Sequence, residues 1–192
     1  GSATVDANTG LLTGVSVGTI TLTATAAGDS NYATATTNQL ITIGAGAQTL
    51  TITSANTLNV DESLTATVIT TATGGRGGVI TFAVISGSGS ATVDVNTGLL
   101  TGLIAGTITL TATSSGDTDY ASATTSQLIT IGQGSQTLTI TSADVLNVGA
   151  SLTATVITTA TGGRGGLITF TVISGSGSAT VDTNTGLLTG IS

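Results

Sequence analysis

The sequence predicts an all-β fold built from tandem domains of about 88 residues, and three observations lead to this prediction. First, the motif GSATVDxNTGLLTG begins at Gly1, Gly89 and Gly177, at a constant step of 88 residues. Second, the chain contains 46 Thr, 28 Gly and no Pro, a composition that suits β-strands joined by glycine turns. Third, hydroxyl and apolar side chains alternate along several segments, which is the period of a half-buried strand.

The repeats are close copies of one another. Aligned without gaps, residues 1–88 and 89–176 are identical at 70 of 88 positions. A period this long indicates an array of domain-sized units. Domain boundaries are expected at Gly-rich segments 44–47 and 132–135, where one strand ends and the next begins.

With these boundaries the chain holds one complete domain between two incomplete ones. Because it begins and ends inside the same motif, it is expected to be an excerpt of a longer repetitive protein. The predicted domains are 1–44, the C-terminal part of a repeat; 45–132, a complete repeat; and 133–192, the N-terminal part of a further repeat.

The clearest strand is TITLTAT, residues 107–113, whose alternation places Ile108, Leu110 and Ala112 on one face. Seven strands in 88 residues is the number found in an immunoglobulin-like β-sandwich. The other six predicted strands are Gln48–Thr53, Ser63–Thr70, Ile80–Ile85, Ser90–Val93, Leu99–Gly102 and Ser126–Ile131.

Two connections between strands have distinctive turn residues. The segment TGGRGG, Thr73–Gly78, has four glycines that permit positive φ angles, and it is predicted to be a hairpin loop between the second and third strands. The segment DVNTG, Asp94–Gly98, is typical of a turn in which Asp caps backbone N–H groups and Gly closes the turn.

Composition excludes several classes of function. The net charge is −7, from nine acids against Arg76 and Arg164, so nucleic acid and anionic membrane surfaces are not expected partners, nor is direct membrane insertion. The chain contains no His, Cys or Lys, and its acids do not pair at matching positions in successive repeats. General acid–base and nucleophilic catalysis lack their usual groups, so we expect neither an enzyme nor a cofactor.

One stretch carries a family resemblance. Residues 88–117, SGSATVDVNTGLLTGLIAGTITLTATSSGD, followed by a closing strand, resemble the bacterial immunoglobulin-like repeats of group 2 type. The resemblance covers about half of each repeat closely and the other half more loosely. It implies an immunoglobulin-like fold, an extracellular place on the bacterial cell surface, and a stalk role like that of repeats in invasin-like adhesins. It implies no catalytic residues.

The loop that contains the only Tyr of each repeat is the candidate ligand-binding element. In the alternative interpretation its Asp caps a turn and its Tyr covers the end of the core, with the hydroxyl bonded to the main chain. The candidate ligand-binding residues are Asp117, Asp119 and Tyr120, and their counterparts Asp29 and Tyr32.

Calcium is the metal that such arrays would use, and it needs six to eight oxygen ligands. The candidate carboxylates are Asp29, Asp94, Asp117 and Asp119. The position of Asp119 is Asn31 in the first repeat, so the set is not kept between repeats. This change argues against a structural calcium site.

Arg76 and Arg164 are the cations of their repeats, and each lies at the centre of a GGRGG segment. A guanidinium there could contact a carboxylate of the next repeat or of a neighbouring chain. The alternative is a solvated loop tip. The partners expected from this reading are neighbouring repeats of the same protein and other copies in a filament.

The function favoured by the sequence is a structural stalk or filament segment that presents distal domains away from the bacterial surface. One rival is a repeat-borne adhesion module that binds a glycan or protein. Another is self-assembly by strand donation, in which incomplete domains of two chains complete each other. The outward Thr rows also leave O-linked glycosylation open.

Overall fold

The computed structural model describes residues 1–162 and 164–192, and every regular element within them is a β-strand. The described residues include no helix long and apolar enough to cross a membrane. The chain forms two compact units, Gly1–Gln133 and Gly134–Ser192. The strands of the first unit are β1 (Ser2–Val5), β2 (Leu12–Ser16), β3 (Gly18–Ala26), β4 (Ala35–Ile43), β5 (Leu50–Ile52), β6 (Thr57–Asn59), β7 (Ser63–Thr65), β8 (Val68–Thr70), β9 (Ile80–Ser86), β10 (Ser90–Val93), β11 (Leu99–Ile104), β12 (Gly106–Ser114) and β13 (Ala123–Gly132). Those of the second are β14 (Leu138–Ile140), β15 (Ser151–Thr153), β16 (Val156–Thr158), β17 (Ala179–Val181) and β18 (Leu187–Gly190).

The second repeat, taken from here on as residues 45–132, is an immunoglobulin-like β-sandwich, as the sequence predicts. One layer is a four-stranded sheet in the order β6-β13-β12-β9. In it β12 pairs antiparallel with both β13 and β9, while β6 pairs parallel with β13. The opposing layer consists of β10-β11-β7 and β5-β8. The segment Ser63–Thr70 contributes one strand to each of these two small sheets. Ala66 and Thr67 separate its two strands, β7 and β8.

The core lies between the two layers and is aliphatic apart from one aromatic ring. The alternation in β12 is confirmed: Ile108, Leu110 and Ala112 face inward and are at most 1% exposed. Phe82 of β9 packs in the same cluster. The rest of the buried cluster is Leu58, Ala66, Ala91, Leu100, Ile129 and Ile131.

The DVNTG turn between β10 and β11 has the predicted chemistry. One carboxylate oxygen of Asp94 accepts hydrogen bonds from the N–H groups of Asn96 and Thr97, at 3.0 and 2.7 Å. The N–H of Gly98 donates to the carbonyl of Asp94, at 2.9 Å. Gly98 has φ +70°, and a Cβ there would lie 3.0 Å from the ring of Phe82. A side chain at this position would therefore crowd the Phe82 ring.

Three details of the second repeat differ from the sequence prediction. The predicted strand Ser63–Thr70 is two strands, β7 and β8, which pair with different neighbours. The strand β6 was not predicted, because its three residues show no alternation and it is defined by pairing with β13, about 70 residues away. The hairpin prediction for Thr73–Gly78 is wrong. Its glycines 74, 75, 77 and 78 do adopt positive φ, but the loop crosses from β8, paired with β5, to β9, paired with β12.

The first 44 residues form two antiparallel hairpins, β1-β2 and β3-β4. The hairpins touch where Ile43 approaches Gly14, with the Ile43 Cγ2 atom 3.0 Å from the place a Cβ would occupy. Here Leu22 is half-buried, whereas its counterpart Leu110 is fully buried. In the second repeat, strands β5, β7 and β8 of the opposing layer come from residues 50–70, and residues 1–44 include no counterpart of them.

The second unit repeats the layer that β5, β7, β8, β10 and β11 form in the second repeat. Its sheets are β14-β16 and β15-β18-β17. Segment 168–174, ITFTVIS, corresponds to β9 yet is not a strand in the described part of the unit. In the second repeat this segment is held by β12, and a counterpart of β12 does not occur in residues 134–192.

Candidate functional site at the junction between repeats

The linker between the first and second repeats is fixed to the second repeat. Its residue Gly46 forms a parallel bridge with Tyr120 in the loop between β12 and β13. The N–H of Gly46 donates to the carbonyl of Asp119 at 2.8 Å, and its carbonyl accepts from the N–H of Ala121 at 2.9 Å. A Cβ at Gly46 would lie 3.4 Å from the Tyr120 ring. The linker is therefore paired like a strand.

Asp119 connects the two repeats with its side chain. Its Oδ1 atom accepts a hydrogen bond from the backbone N–H of Val17, at 2.7 Å. Val17 lies between β2 and β3 of the preceding repeat. Together with the bond from Gly46 to its carbonyl, two of the three oxygens of Asp119 accept from backbone N–H groups across or at the boundary.

Arg76 approaches the end of strand β2 in the preceding repeat from the GGRGG loop. Its Nη1 atom donates a hydrogen bond to the backbone carbonyl of Val15. The same nitrogen is 3.4 Å from Oδ2 of Asp119. The Arg76 and Asp119 side chains are 35% and 21% exposed, so the ion pair is partly shielded from solvent. The carboxylate that Arg76 contacts belongs to its own repeat, and the preceding repeat contributes a carbonyl.

Asp117 joins the two loops that carry these side chains. Its Oδ2 atom accepts from the N–H of Gly77, at 2.7 Å. Its Oδ1 atom accepts from the N–H groups of Asp119 and Tyr120, each at 2.8 Å. The hydrogen bonds from Gly77 and Tyr120, followed by that from Asp119 and the charge of Arg76, lower the pKa of Asp117 below its ordinary value of 3.8. The ionised carboxylate is thus the form that holds the loops together.

Gln48 lies beneath both loops and is 8% exposed. Its Nε2 atom donates to the carbonyls of Gly77 and Ala121, each at 2.8 Å, and lies 3.0 Å from the hydroxyl of Ser114. Its Oε1 atom accepts from the Thr70 hydroxyl, at 3.0 Å. Since Gly77 follows Arg76 and Ala121 lies two residues after Asp119, Gln48 fixes the base of each junction loop.

Tyr120 packs against the linker and is half-buried. Its hydroxyl lies 3.2 Å from that of Thr73 and 3.4 Å from the Thr73 backbone N–H. Hydrogen bonding with Thr73 lowers the pKa of the Tyr120 phenol. The hydroxyl thus bridges the two loops from the outside, while Gln48 bridges them from the inside.

The remaining residues singled out from the sequence lie elsewhere. Asp29 caps its own loop by accepting from Asn31 and Tyr32 N–H groups, at 2.7 and 2.9 Å, and Tyr32 is 78% exposed. Asp94 lies in the turn between β10 and β11. Arg164 lies in the second unit, where its N–H donates to the Thr161 carbonyl at 3.2 Å. Of the candidate site residues predicted from the sequence, the structure brings together Arg76, Asp117, Asp119 and Tyr120.

The described acidic side chains are not grouped as metal ligands. Among the described residues no group of three or more His, Cys, Asp or Glu side chains is close enough to hold a metal ion. At the junction, the oxygens of Asp117 and Asp119 already accept backbone N–H groups or face Arg76. The arrangement suits a protein–protein contact and offers no free carboxylate pair.

Sequence reasoning did not identify Gln48 or the turn at Val15–Val17 as parts of this site. The turn contributes backbone atoms, which leave no signature in a sequence. Gln48 did carry a signal, since it is a polar residue at the start of an alternating strand and recurs as Gln136.

Residues 46–125, most of the second repeat, match the family described as bacterial Ig-like domain (group 2). This match supports an Ig-like domain of that group in the second repeat, in agreement with the resemblance noted in the sequence. Such domains are typical of bacterial surface proteins and are typically not enzymes. A search of curated proteins found no match to the chain.

Proposed function

We propose that this chain is a segment of an extracellular bacterial stalk, in which tandem Ig-like repeats hold distal domains away from the cell. The observation that carries the proposal is the direct bonding between repeats, with Asp119 and Arg76 of one repeat bound to the Val15–Val17 turn of the repeat before it. A linker paired with Tyr120 leaves little freedom at the same boundary. A stalk needs this coupling, because flexible linkers make the span of an array grow slowly with repeat number.

The geometry supports the stalk over a ligand-binding module in the Asp117–Tyr120 loop. The polar atoms that would contact a glycan or protein are engaged within the chain: Asp117 with Gly77, Asp119 with Val17, and the Tyr120 hydroxyl with Thr73. A ligand at this loop would have to replace these bonds. No observation on the described residues favours that exchange.

The proposal is tested by the length of the molecule as repeats are added. One, two and four further copies of residues 45–132 are inserted after Gly132, and the maximum dimension is measured by small-angle X-ray scattering and negative-stain microscopy. Each copy should add about 30–40 Å, from strands of six to eight residues at about 3.3 Å each with their loops.

A matched control carries a ten-residue Gly-Ser insertion beside each counterpart of Gly46. In these arrays the span should grow roughly as the square root of repeat number, as for flexibly linked bodies. A parent array that behaves like this control, or that folds back to a constant dimension, contradicts the stalk.

A further inference from the structure

Several of the differences between the repeats lie where repeats meet. Of the 88 aligned positions, 88 − 70 = 18 differ between residues 1–88 and 89–176. Seven of these lie at the end of the second strand of the motif and in the residue after it, in the loop that contains Tyr32 or Tyr120, or in the linker. They are positions 15, 16, 17, 30, 31, 45 and 47, with counterparts 103, 104, 105, 118, 119, 133 and 135. The core strand, by contrast, reads GTITLTAT in both copies.

One of these differences changes the charge of a side chain that contacts the preceding repeat. Asp119 is Asn31 in the first repeat. An Asn side chain keeps one acceptor oxygen, so it can accept from a backbone N–H as Asp119 does from Val17. It has no negative charge, so it cannot form the ion pair that Asp119 makes with Arg76.

The two loops present this residue in the same way. The N–H of Asn31 donates to Asp29 Oδ1 at 2.7 Å, and the N–H of Asp119 donates to Asp117 Oδ1 at 2.8 Å. In both loops the following Tyr N–H donates to the same oxygen. Since the capping Asp fixes the backbone alike, the difference between the two repeats at this position is the charge of the side chain.

We propose that Asp119 sets the strength of the repeat junction, and that Asp or Asn at this position decides whether the two side chains that bind the preceding repeat form an ion pair with each other. Asp gives a contact with Arg76 and Val17 that salt weakens. Asn gives a neutral contact that is weaker at low salt and insensitive to it. The array then has strong and weak junctions, and the residue at this position in each repeat determines which junctions are strong. This inference rests on the proposed stalk function, in which junction stiffness matters.

The test compares amide hydrogen exchange at Val17 in the 192-residue chain and in its Asp119→Asn variant, by NMR. At low ionic strength we expect the variant to exchange about two- to fivefold faster, the range for a partly exposed ion pair. At about 1 M NaCl the difference should vanish, because the screening length falls to about 3 Å. Asp119→Ala, which also removes the acceptor, should exchange faster than both at every salt concentration.

Asp144→Asn is the matched control. It removes one negative charge outside the junction, and its counterpart in the preceding repeat is natively Asn56. Exchange at Val17 should equal that of the parent chain. If Asp144→Asn produces the same change as Asp119→Asn, the effect is one of net charge and the proposal is wrong.

Arg76→Gln separates the ion pair from the folding of the loop. The proposal expects Asp119→Asn to have no further effect on Val17 exchange once Arg76 is replaced. Additive effects, or faster exchange at Ala121 as well as Val17 in Asp119→Asn, mean that Asp119 supports the fold of its loop and does not set the strength of the junction, and they overturn the proposal. So does unchanged Val17 exchange in both Asp119 variants.

These outcomes are distinct from those that test the stalk. If the array lengthens with each added repeat but Asp119→Asn leaves amide exchange at Val17 unchanged, the proposal for Asp119 is wrong and the stalk proposal stands. If Asp119→Asn changes amide exchange at Val17 in a salt-dependent way but the array does not lengthen, the proposal for Asp119 stands and the stalk proposal is wrong.

Discussion

The carboxylate of Asp117 accepts a hydrogen bond from the backbone N–H of Gly77 at 2.7 Å, across 40 residues of sequence. This bond joins the loop after β8 to the loop after β12. The first loop carries Arg76 and the second carries Asp119, so the contact with the preceding repeat depends on a bond made within the second repeat. Three predictions follow from the residues that fix these loops and the adjacent core.

The first concerns pH. The pKa of Asp117 is lowered in the folded chain, chiefly by the Gly77 N–H, from an ordinary value of 3.8. A lowered carboxyl pKa contributes stability that is fully present above about pH 4 and is lost as the pH falls through the folded-state pKa. Asp117→Asn should therefore be less stable than the parent chain at pH 7, and the gap should narrow as pH falls from 4 towards 2.

The measurement is denaturant unfolding followed by circular dichroism at a series of pH values. Asp144→Asn is the charge-matched comparison, since Asp144 lies in neither junction loop. A gap between Asp117→Asn and the parent chain that is constant from pH 7 to pH 2 would show that the ionised carboxylate does not support the fold.

The second prediction concerns Gln48. Replacement by Leu keeps the volume but removes the donors to the Gly77 and Ala121 carbonyls and the acceptor for Thr70. Leaving buried polar groups without partners costs about 1–3 kcal/mol, so we expect a loss of about 2–3 kcal/mol in the free energy of unfolding of the second repeat.

Gln136→Leu is the internal control for Gln48. Gln136 is exposed and donates to the Gly165 carbonyl at 2.9 Å, so its replacement should cost less than about 1 kcal/mol. Residue-resolved hydrogen exchange, read at Ile129 for the second repeat and at Leu188 for the third, gives both values. If both substitutions lowered the free energy of unfolding equally, burial of the Gln48 hydrogen-bond network would contribute nothing to stability.

The third prediction concerns Gly98 and its counterpart Gly10. Both have positive φ, +70° and +73°, but a Cβ at Gly98 meets the Phe82 ring at 3.0 Å while one at Gly10 meets nothing within 4 Å. Gly10→Ala should cost about 1–2 kcal/mol for the backbone conformation alone. Gly98→Ala adds overpacking of about 1–3 kcal/mol, for a total of about 2–5 kcal/mol.

Amide exchange in β3 and β12 reports the two glycine substitutions separately. Equal costs would show that Phe82 moves aside freely and that backbone strain is the whole effect. A cost at Gly98 exceeding that at Gly10 would confirm the steric contact between the turn and the core.

The sequence by itself determined the features that depend on near neighbours along the chain. Alternation in β12 placed Ile108, Leu110 and Ala112 in the core, because side chains of a strand point to opposite faces in turn. The Asp94–Gly98 turn was equally predictable, since a carboxylate reaches N–H groups two and three residues ahead and Gly tolerates positive φ. The repeat length and the Ig-like sandwich followed from the same local signals.

The tertiary structure decided what depends on distant partners. Segments 80–86 and 168–174 differ at one position, yet the first is the strand β9 and the second is not a strand in the described chain. A strand needs the hydrogen bonds and apolar cover of its neighbours, and β12 supplies both to the first segment. The junction is of the same kind, because Val17 and Val15 contribute backbone atoms that no side-chain pattern records. The folded topology determines which loops meet at a boundary between repeats. The sequence alone determines the charge that Asp119 brings to that boundary.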